Sequence, residues 1–577
     1  MQLGLAHTTP WSQRLRGMRE HRYAGLHVRY QAAQSATRRA VKAGLLNIMV
    51  AAVSSRPPNS DHHRIPAHLK ERVATSSDCY IPPQGPAYSA TQVECRTHYD
   101  QCKVDSQAPS LTNERRAYFR ALNDKYGDMV YMDVLGQPML ILGTHDVAFD
   151  LLEKRSALYS DRVQSAMVDL SGFDWLLAAM PYGAWWRRHR RAFHQYFNPN
   201  AVVGLRSIQR NQVSHFLNRL LDAPDDFYEH MRHLFAATIM RVAYGIQISE
   251  RDDEYMKMVE DGLTAINLLL SPGKYLVEQL PILRFLPKWM PGAQFRRDAA
   301  DAKVVAYEMR DTPWSRSLEA MRQGTASASM STALMERMRT LESSEAEEEQ
   351  LIARNTAATA YAGGADTTLA LIQAFFLVLA LFPEVQEKAR AELDTIVGPH
   401  RLPEFNDRDS LPYVCAVIKE CMRWHAVAPL GGAHRLIQDD EYRGYLIPKG
   451  TLVIANLWAF SRDERRYPDP EAFIPERFLK DGKLKADITD PSEFAFGYGR
   501  RICPGLHFAE SSIFLTVSSV LHTLSVTQPL DATGKHQRPK IKTTAGVISY
   551  PEPFKCVIKP RASWAESLIR ANDQLAE

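Results

Sequence analysis

Apolar residues recur at three- and four-residue intervals through most of this 577-residue chain, the spacing of helices with one buried face. The pattern predicts helices over 116–126, 144–156, 204–221, 227–245, 254–270, 295–309, 384–397 and 411–425. A longer one covers 351–382 and stops at Pro383. From Leu369 it is almost wholly apolar for about fourteen residues, too short for a bilayer and right for a buried core helix. Strict alternation is confined to short pieces. Segments 129–135 and 138–142 flank Gly136-Gln137, and 442–456 alternates around Pro448-Lys449-Gly450. Both read as hairpins. The expected fold is mainly α with a small β-rich part.

Composition narrows the class. Hydrophobic residues make up 45% and the net charge is +4, enough to bury a large core and too mild to argue for nucleic acid. Seven cysteines without a C-x-x-C pair speak against zinc and against a disulfide framework. The acidic run 342–349 reads as a solvated loop.

One cysteine has distinctive surroundings. Phe494 to Glu510 reads FAFGYGRRICPGLHFAE. Apolar Leu506, Ala509, Ile513 and Val517 start a helix, and Pro504 suits its first position. Cys503 then lies at a helix N-terminus, where positive dipole favours a thiolate. Gly497, Gly499 and Gly505 clear side chains around the sulfur, while Arg500 and Arg501 add positive charge. A buried structural cysteine is the ordinary alternative. In the long helix, Gly363-Gly364-Ala365-Asp366-Thr367-Thr368 places two glycines where each costs about 1 kcal/mol relative to alanine. A packing notch against another helix, or the approach of a flat ligand, would explain them. Glu420 and Arg423 share a helical face, as do Trp186 and Arg190. His189, His194, His434 and His507 read as core or surface histidines.

Taken together, these stretches resemble the cytochrome P-450 superfamily. Phe496, Gly499, Arg501, Cys503 and Gly505 match F-x-x-G-x-R-x-C-x-G, and 363–368 matches [AG]-G-x-[DE]-T-[TS]. Glu420 and Arg423 match E-x-x-R, Pro475-Glu476-Arg477-Phe478 matches P-E-R-F, and Trp186 and Arg190 match W-x-x-x-R. The five motifs run in the family's order over about 112–560 and look closest to fungal secondary-metabolism members. The resemblance implies a single mostly helical domain with a small β-rich subdomain. It implies haem b (heme b, iron protoporphyrin IX) bound through Cys503 as iron ligand, within the loop of Phe496, Gly499, Arg501 and Gly505. Trp186, Arg190 and Arg435 would hold the propionates, although Ala433 stands where the family often has Pro. Asp366 and Thr367 would deliver protons in oxygen activation. Glu420, Arg423 and Arg477 would form a buried structural triad.

The implied activity is a haem-thiolate monooxygenase. It would put one atom of O2 into an apolar small molecule, with electrons from an NADPH-dependent flavoprotein reductase. A haem-thiolate isomerase or dehydratase, or a non-enzymatic or unproductive haem protein, would share most motifs. The intact Asp366-Thr367 pair favours the monooxygenase. Segments 164–180, 427–432 and 545–548 are the expected substrate lining. Segment 276–290, with Phe285, Pro287, Trp289 and Pro291 near its end, would touch a membrane surface or cap the domain.

The first 110 residues differ from the rest. Eight Lys or Arg and one acid, Glu20, precede Ser54. A proline-rich stretch ends at Pro86, and no apolar run reaches membrane-spanning length. A disordered extension and linker is expected over 1–110, and the catalytic domain with its C-terminal tail over 111–577. A mitochondrial transit peptide, a basic lipid-attracted segment and a misassigned start all fit. The abrupt change near Asn113 favours the last. Family resemblance implies the cytoplasmic face of the endoplasmic reticulum membrane.

Overall fold

The structure is a computed structural model that describes residues 111–577, apart from 135, 250–252, 270–273, 279, 339–341 and 577. The expectations for 1–110 lie outside the described residues. Helix α1 (Leu111–Tyr126) buries Phe119 against a five-stranded sheet of order β1-β2-β7-β4-β3. Its strands are β1 (Met129–Val134), β2 (Gln137–Leu142), β3 (Asp161–Arg162), β4 (His434–Arg435) and β7 (Leu452–Ala455). β1 and β2 form the expected hairpin, closed at Gly136 with φ +84°. Short helix α2 (Ala166–Ser171) follows β3.

The second expected hairpin is placed differently. Strand β5 (Asp440–Tyr442) pairs with β6 (Tyr445–Ile447). The turn between them is Arg443-Gly444, both left-handed at φ +53° and +79°, the conformation that matches strand twist. Pro448-Lys449-Gly450 instead carries the chain across to β7, which joins β2 in parallel and β4 antiparallel.

The helical body consists of α3 (Ala184–Phe197), α4 (Arg206–Asp222), α5 (Phe227–Tyr244), α6 (Glu254–Leu269), α7 (Gln294–Arg322), α8 (Ser343–Leu381), α9 (Pro383–Ile396), α10 (Pro412–Trp424), α11 (Leu506–Thr523) and α12 (Ser563–Ala576). Two predicted boundaries move. α7 continues through the buried Pro313 to Arg322 rather than stopping near Met309. The acidic run is no loop but the opening of α8, where carboxylates suit the positive end of a helix. There Glu348 and Glu349 take both arms of Arg188, at 2.6 and 2.7 Å.

α8 is the axis of the molecule. From Leu369 to Leu381 its residues are buried, facing α4, α5, α9, α10 and α11 in one cluster. Among the described residues it is the one helix long and apolar enough to cross a membrane, but 89% of its most apolar window lies inside the fold. The C-terminal tail is itself helical. α12 docks on α4 through His215 and Asp573 at 2.6 Å and through Arg570 and Asp222 at 2.7 Å.

Candidate active site

The cysteine loop is bent back on itself. The Cys503 N–H donates to the Phe496 carbonyl at 2.8 Å, and Gly497 and Gly499 supply left-handed turns at φ +79° and +54°. Gly499 is also a packing necessity. A Cβ there would lie 2.4 Å from the Leu152 carbonyl, in the π-helical segment Phe149–Lys154 whose Glu153 accepts the Gly499 N–H. Helix α11 begins at Leu506 with Gly505 as its cap. Pro504 therefore sits in the turn before the helix, not at its first position. The Gly505 N–H bonds to the sulfur, and Arg190 is the charge that faces it. Both favour the thiolate, yet burial outweighs them and pushes the thiol up. The helix end alone does not ionise Cys503; a metal ion would, because a coordinated thiol is deprotonated outright.

Four arginines converge nearby. Arg501 is not a free donor. Its Nε and Nη2 bond the Ser160 and Met180 carbonyls at 2.7 Å each, and Nη1 bonds the Leu177 carbonyl at 3.2 Å. Its guanidinium lies 4.5 Å over the Trp186 ring. Burial and the neighbouring Arg162 lower its pKa to about 9. No motif in the sequence singles out Arg162. Its Nη1 reaches the Gly432 and Ala433 carbonyls at 2.5 and 2.7 Å, and its Nε the Ala178 carbonyl at 3.1 Å. The signal available was an arginine two residues after Ser160, too short a pattern to stand out. Arg435 pairs with Asp161 at 2.7 Å, and Asp161 also accepts the Tyr182 N–H at 2.8 Å. Arg190 makes no hydrogen bond or ion pair among the described residues and faces Cys503. Beside this group the Trp186 Nε1, fully buried, also lacks a partner.

The long-helix motif divides its two glycines. A Cβ on Gly364 would lie 2.8 Å from Ile239 Cγ1, so this glycine is the notch where α5 and α8 meet. A Cβ on Gly363 would meet nothing within 4 Å, so this glycine leaves open ground on the helix surface. Thr367, one turn on, is exposed on that side and donates to the Gly363 carbonyl at 2.9 Å. Asp366 is buried, and its Oδ2 has no partner among the described residues.

The segments expected to line a pocket split as well. In 164–180, Met167, Phe173, Trp175, Leu176, Leu177 and Met180 are buried in a cluster with α3, α5, α7 and α8. Segments 427–432 and 545–548 come together where the Ser549 N–H bonds the Val427 carbonyl at 2.8 Å. His189 and His434 are buried, with ring nitrogens 3.0 Å from the Trp185 carbonyl and 2.6 Å from the Tyr159 carbonyl, while His194 and His507 are exposed.

Behind the cysteine loop the charged groups are densely paired. Glu420 and Arg423 are fully buried, with oxygen–nitrogen distances of 2.7 Å on both sides. Glu420 Oε1 also accepts from the Ile474 N–H at 2.8 Å and Arg477 Nε at 3.1 Å. Other guanidinium hydrogens reach carbonyls of Ser461, Pro470 and Ala472 from Arg423, and of Pro468 and Asp469 from Arg477.

One thiol, an orphan indole N–H and an unpaired guanidinium gather where the cysteine loop meets α3, a donor set suited to an acidic metal cofactor. The family model described as Cytochrome P450 matches residues 106–557, and the chain belongs to that family. It is 43% identical to cytochrome P450 monooxygenase COX2 of Coprinopsis cinerea over 77% of this chain and 85% of the relative. It is 38% identical to tryptamine 4-monooxygenase of Psilocybe cyanescens over 76% and 86%. A zebra fish cytochrome P450 structure with progesterone shares the fold at TM-score 0.64 and 23% identity, over 77% of this chain and 99% of that one. The enzyme is a haem monooxygenase, a class that works with a redox partner and a small-molecule substrate.

Proposed function

We propose that this chain holds haem b on Cys503 and hydroxylates or otherwise oxygenates an apolar small molecule in fungal-type secondary metabolism, with electrons from NADPH through a flavoprotein reductase. The observation that carries this reading is the pair of unmatched donors, Trp186 Nε1 and Arg190, on the Cys503 side of the fold. They suit a propionate, with Arg435 beside them on Asp161. The haem, when bound, supplies redox-active iron whose thiolate ligand favours O–O cleavage. The protein's part is proton supply and exclusion of water. Thr367, on the open face by Gly363, offers a hydroxyl within one helical turn of that ground. Asp366 is the acid that reloads it. One oxygen atom goes to the substrate and the other leaves as water, which consumes two electrons and two protons.

The buried aromatic and aliphatic residues of 164–180 support an apolar substrate. An isomerase would not need the Asp366-Thr367 pair. Segment 276–290 supports peripheral membrane contact at the cytoplasmic face of the endoplasmic reticulum. Ile282, Phe285 and Trp289 are 72%, 73% and 79% exposed, an apolar patch of the kind that enters an interface. A mitochondrial location is the alternative. We also assign haem binding to 111–577, so a chain starting at Leu111 should retain haem.

Thr367→Ala tests the reading. With purified reductase and an apolar substrate panel, haem content should stay near wild type while NADPH consumption yields peroxide in place of product, since general acid catalysis contributes about 10²–10⁴-fold. Equal product per NADPH in the two proteins would refute the relay. Turnover without NADPH or O2 would favour the isomerase.

A further inference from the structure

Three anchors of the cysteine loop come from one stretch of chain, residues 145–160 between β2 and β3. The Tyr498 hydroxyl lies 2.9 Å from His145 Nδ1, and Arg501 Nε donates to the Ser160 carbonyl at 2.7 Å. Between these two, the Gly499 N–H donates to Glu153 Oε2. Glu153 belongs to the π-helical turn Phe149–Lys154, a rare form of helix that recurs at functional sites. The seat is tight. A Cβ on residue 499 would collide with the Leu152 carbonyl and stand 2.7 Å from Ser156 Cβ. Gly499 is thus pressed on this turn, four positions before Cys503. Gly497 and Gly499 both take left-handed backbone, at φ +79° and +54°. Glycine gives a loop freedom as well as reach, so this path needs ties from outside.

Glu153 differs from the other two anchors in carrying negative charge. The cations beside it in sequence are taken elsewhere. Lys154 pairs with Asp150 and Arg155 with Asp440, each at 2.8 Å. Arg500, next to Gly499, donates to the Tyr182 hydroxyl at 2.5 Å. Glu153 has no ion-pair partner among the described residues, and its carboxylate is turned to the loop amide. Such a charge-assisted bond is shorter and stronger than a neutral one.

We propose that Glu153 is a positioning residue for the iron ligand: its carboxylate fixes the Gly499 amide, and with it the path of the loop to Cys503, and its charge on the thiolate side lowers the reduction potential of the bound haem. This rests on Cys503 as the haem ligand and names a residue outside the five family motifs. The charge acts on the potential because an added electron is disfavoured near a negative group, and outer hydrogen bonds to a ligand loop tune a metal in the same way.

The test compares the full-length haem-bound wild type with Glu153→Gln and Glu153→Ala. Glu153→Gln keeps an oxygen acceptor and removes the charge. It should raise the midpoint potential in a spectroelectrochemical titration while keeping the thiolate-type band of the reduced, carbon monoxide-bound protein. Glu153→Ala removes both. Its midpoint should rise too, its thiolate-type band should decay to a thiol-type band about tenfold faster, the worth of a hydrogen bond to a charged group, and peptides covering 497–503 should take up deuterium faster. A purely structural role would leave the Glu153→Gln potential where it was. An unmoved or lowered midpoint in Glu153→Gln, or a band as durable in Glu153→Ala as in wild type, overturns the proposal. If Glu153→Ala yields no holoprotein, the Glu153→Gln potential decides alone. A wild type without the thiolate-type band would overturn the ligand assignment first and the proposal with it, whereas an intact wild-type band with an unmoved potential overturns the proposal alone.

Discussion

Two polar clusters flank the cysteine loop, and they differ in one respect. Behind it, Glu420, Arg423 and Arg477 satisfy nearly every donor and acceptor they carry. In front of it, Trp186 Nε1 and the Arg190 guanidinium find no hydrogen-bond partner among the described residues, and on α8 neither does Asp366 Oδ2. Buried polar groups are normally paired. A cluster closed by its own carbonyls is a strut; one left open is a seat for something else. Both contain arginines and acids, and only the count of unmet bonds separates them.

The largest effect should come from breaking the closed side. Glu420→Ala removes the carboxylate between two buried guanidiniums, and loss of one partner in such a cluster costs about 3–5 kcal/mol. Soluble yield and thermal unfolding should both collapse. A variant of normal stability would show that the carbonyls alone suffice. Next comes the glycine pair. Gly364→Ala forces a Cβ against Ile239 and should cost about 1–3 kcal/mol by overpacking. Gly363→Ala should leave the apoprotein as stable or up to about 1 kcal/mol more so while disturbing haem and ligand spectra. Equal losses by calorimetry would erase the distinction between notch and open face. The smallest effect tests the open side. Trp186→Phe removes an N–H that bonds nothing among the described residues, so the apoprotein should melt almost unchanged. Haem affinity should fall about five- to tenfold, the worth of one hydrogen bond of about 1 kcal/mol. A destabilised apoprotein with unaltered haem affinity would make Trp186 a packing residue.

Where the sequence speaks through local rules, it was legible. The buried second half of α8, the Gly–Cys loop and the i, i+3 pair Glu420–Arg423 all follow from spacing and composition. It misled where a loud local signal met a tertiary demand. Pro448-Lys449-Gly450 outshouts Arg443-Gly444, yet the hairpin forms at the latter because β7 is claimed by β2 and β4. Pro313 looks like a stop, but α7 runs through it. The acidic run looks like a loop until Arg188, some 160 residues earlier, pairs with it. Arg501 resembles a cofactor donor and is taken up by three carbonyls, whereas Arg162, which lies in the same cluster, has no spacing to betray it. The destination of a long side chain is a property of the fold, and no window of sequence contains it.

The central claim is that Cys503, held in the glycine loop at the head of α11, is the haem iron's ligand. The most direct measurement is the absorption spectrum of the reduced, carbon monoxide-bound protein, compared between Cys503→Ala and Cys421→Ala. Cys421 is fully buried in α10, with its thiol pushed up by burial, so its loss should leave the thiolate-type band in place. Cys503→Ala should abolish that band even where haem is retained. A Cys503→Ala protein that kept the thiolate spectrum would contradict the account.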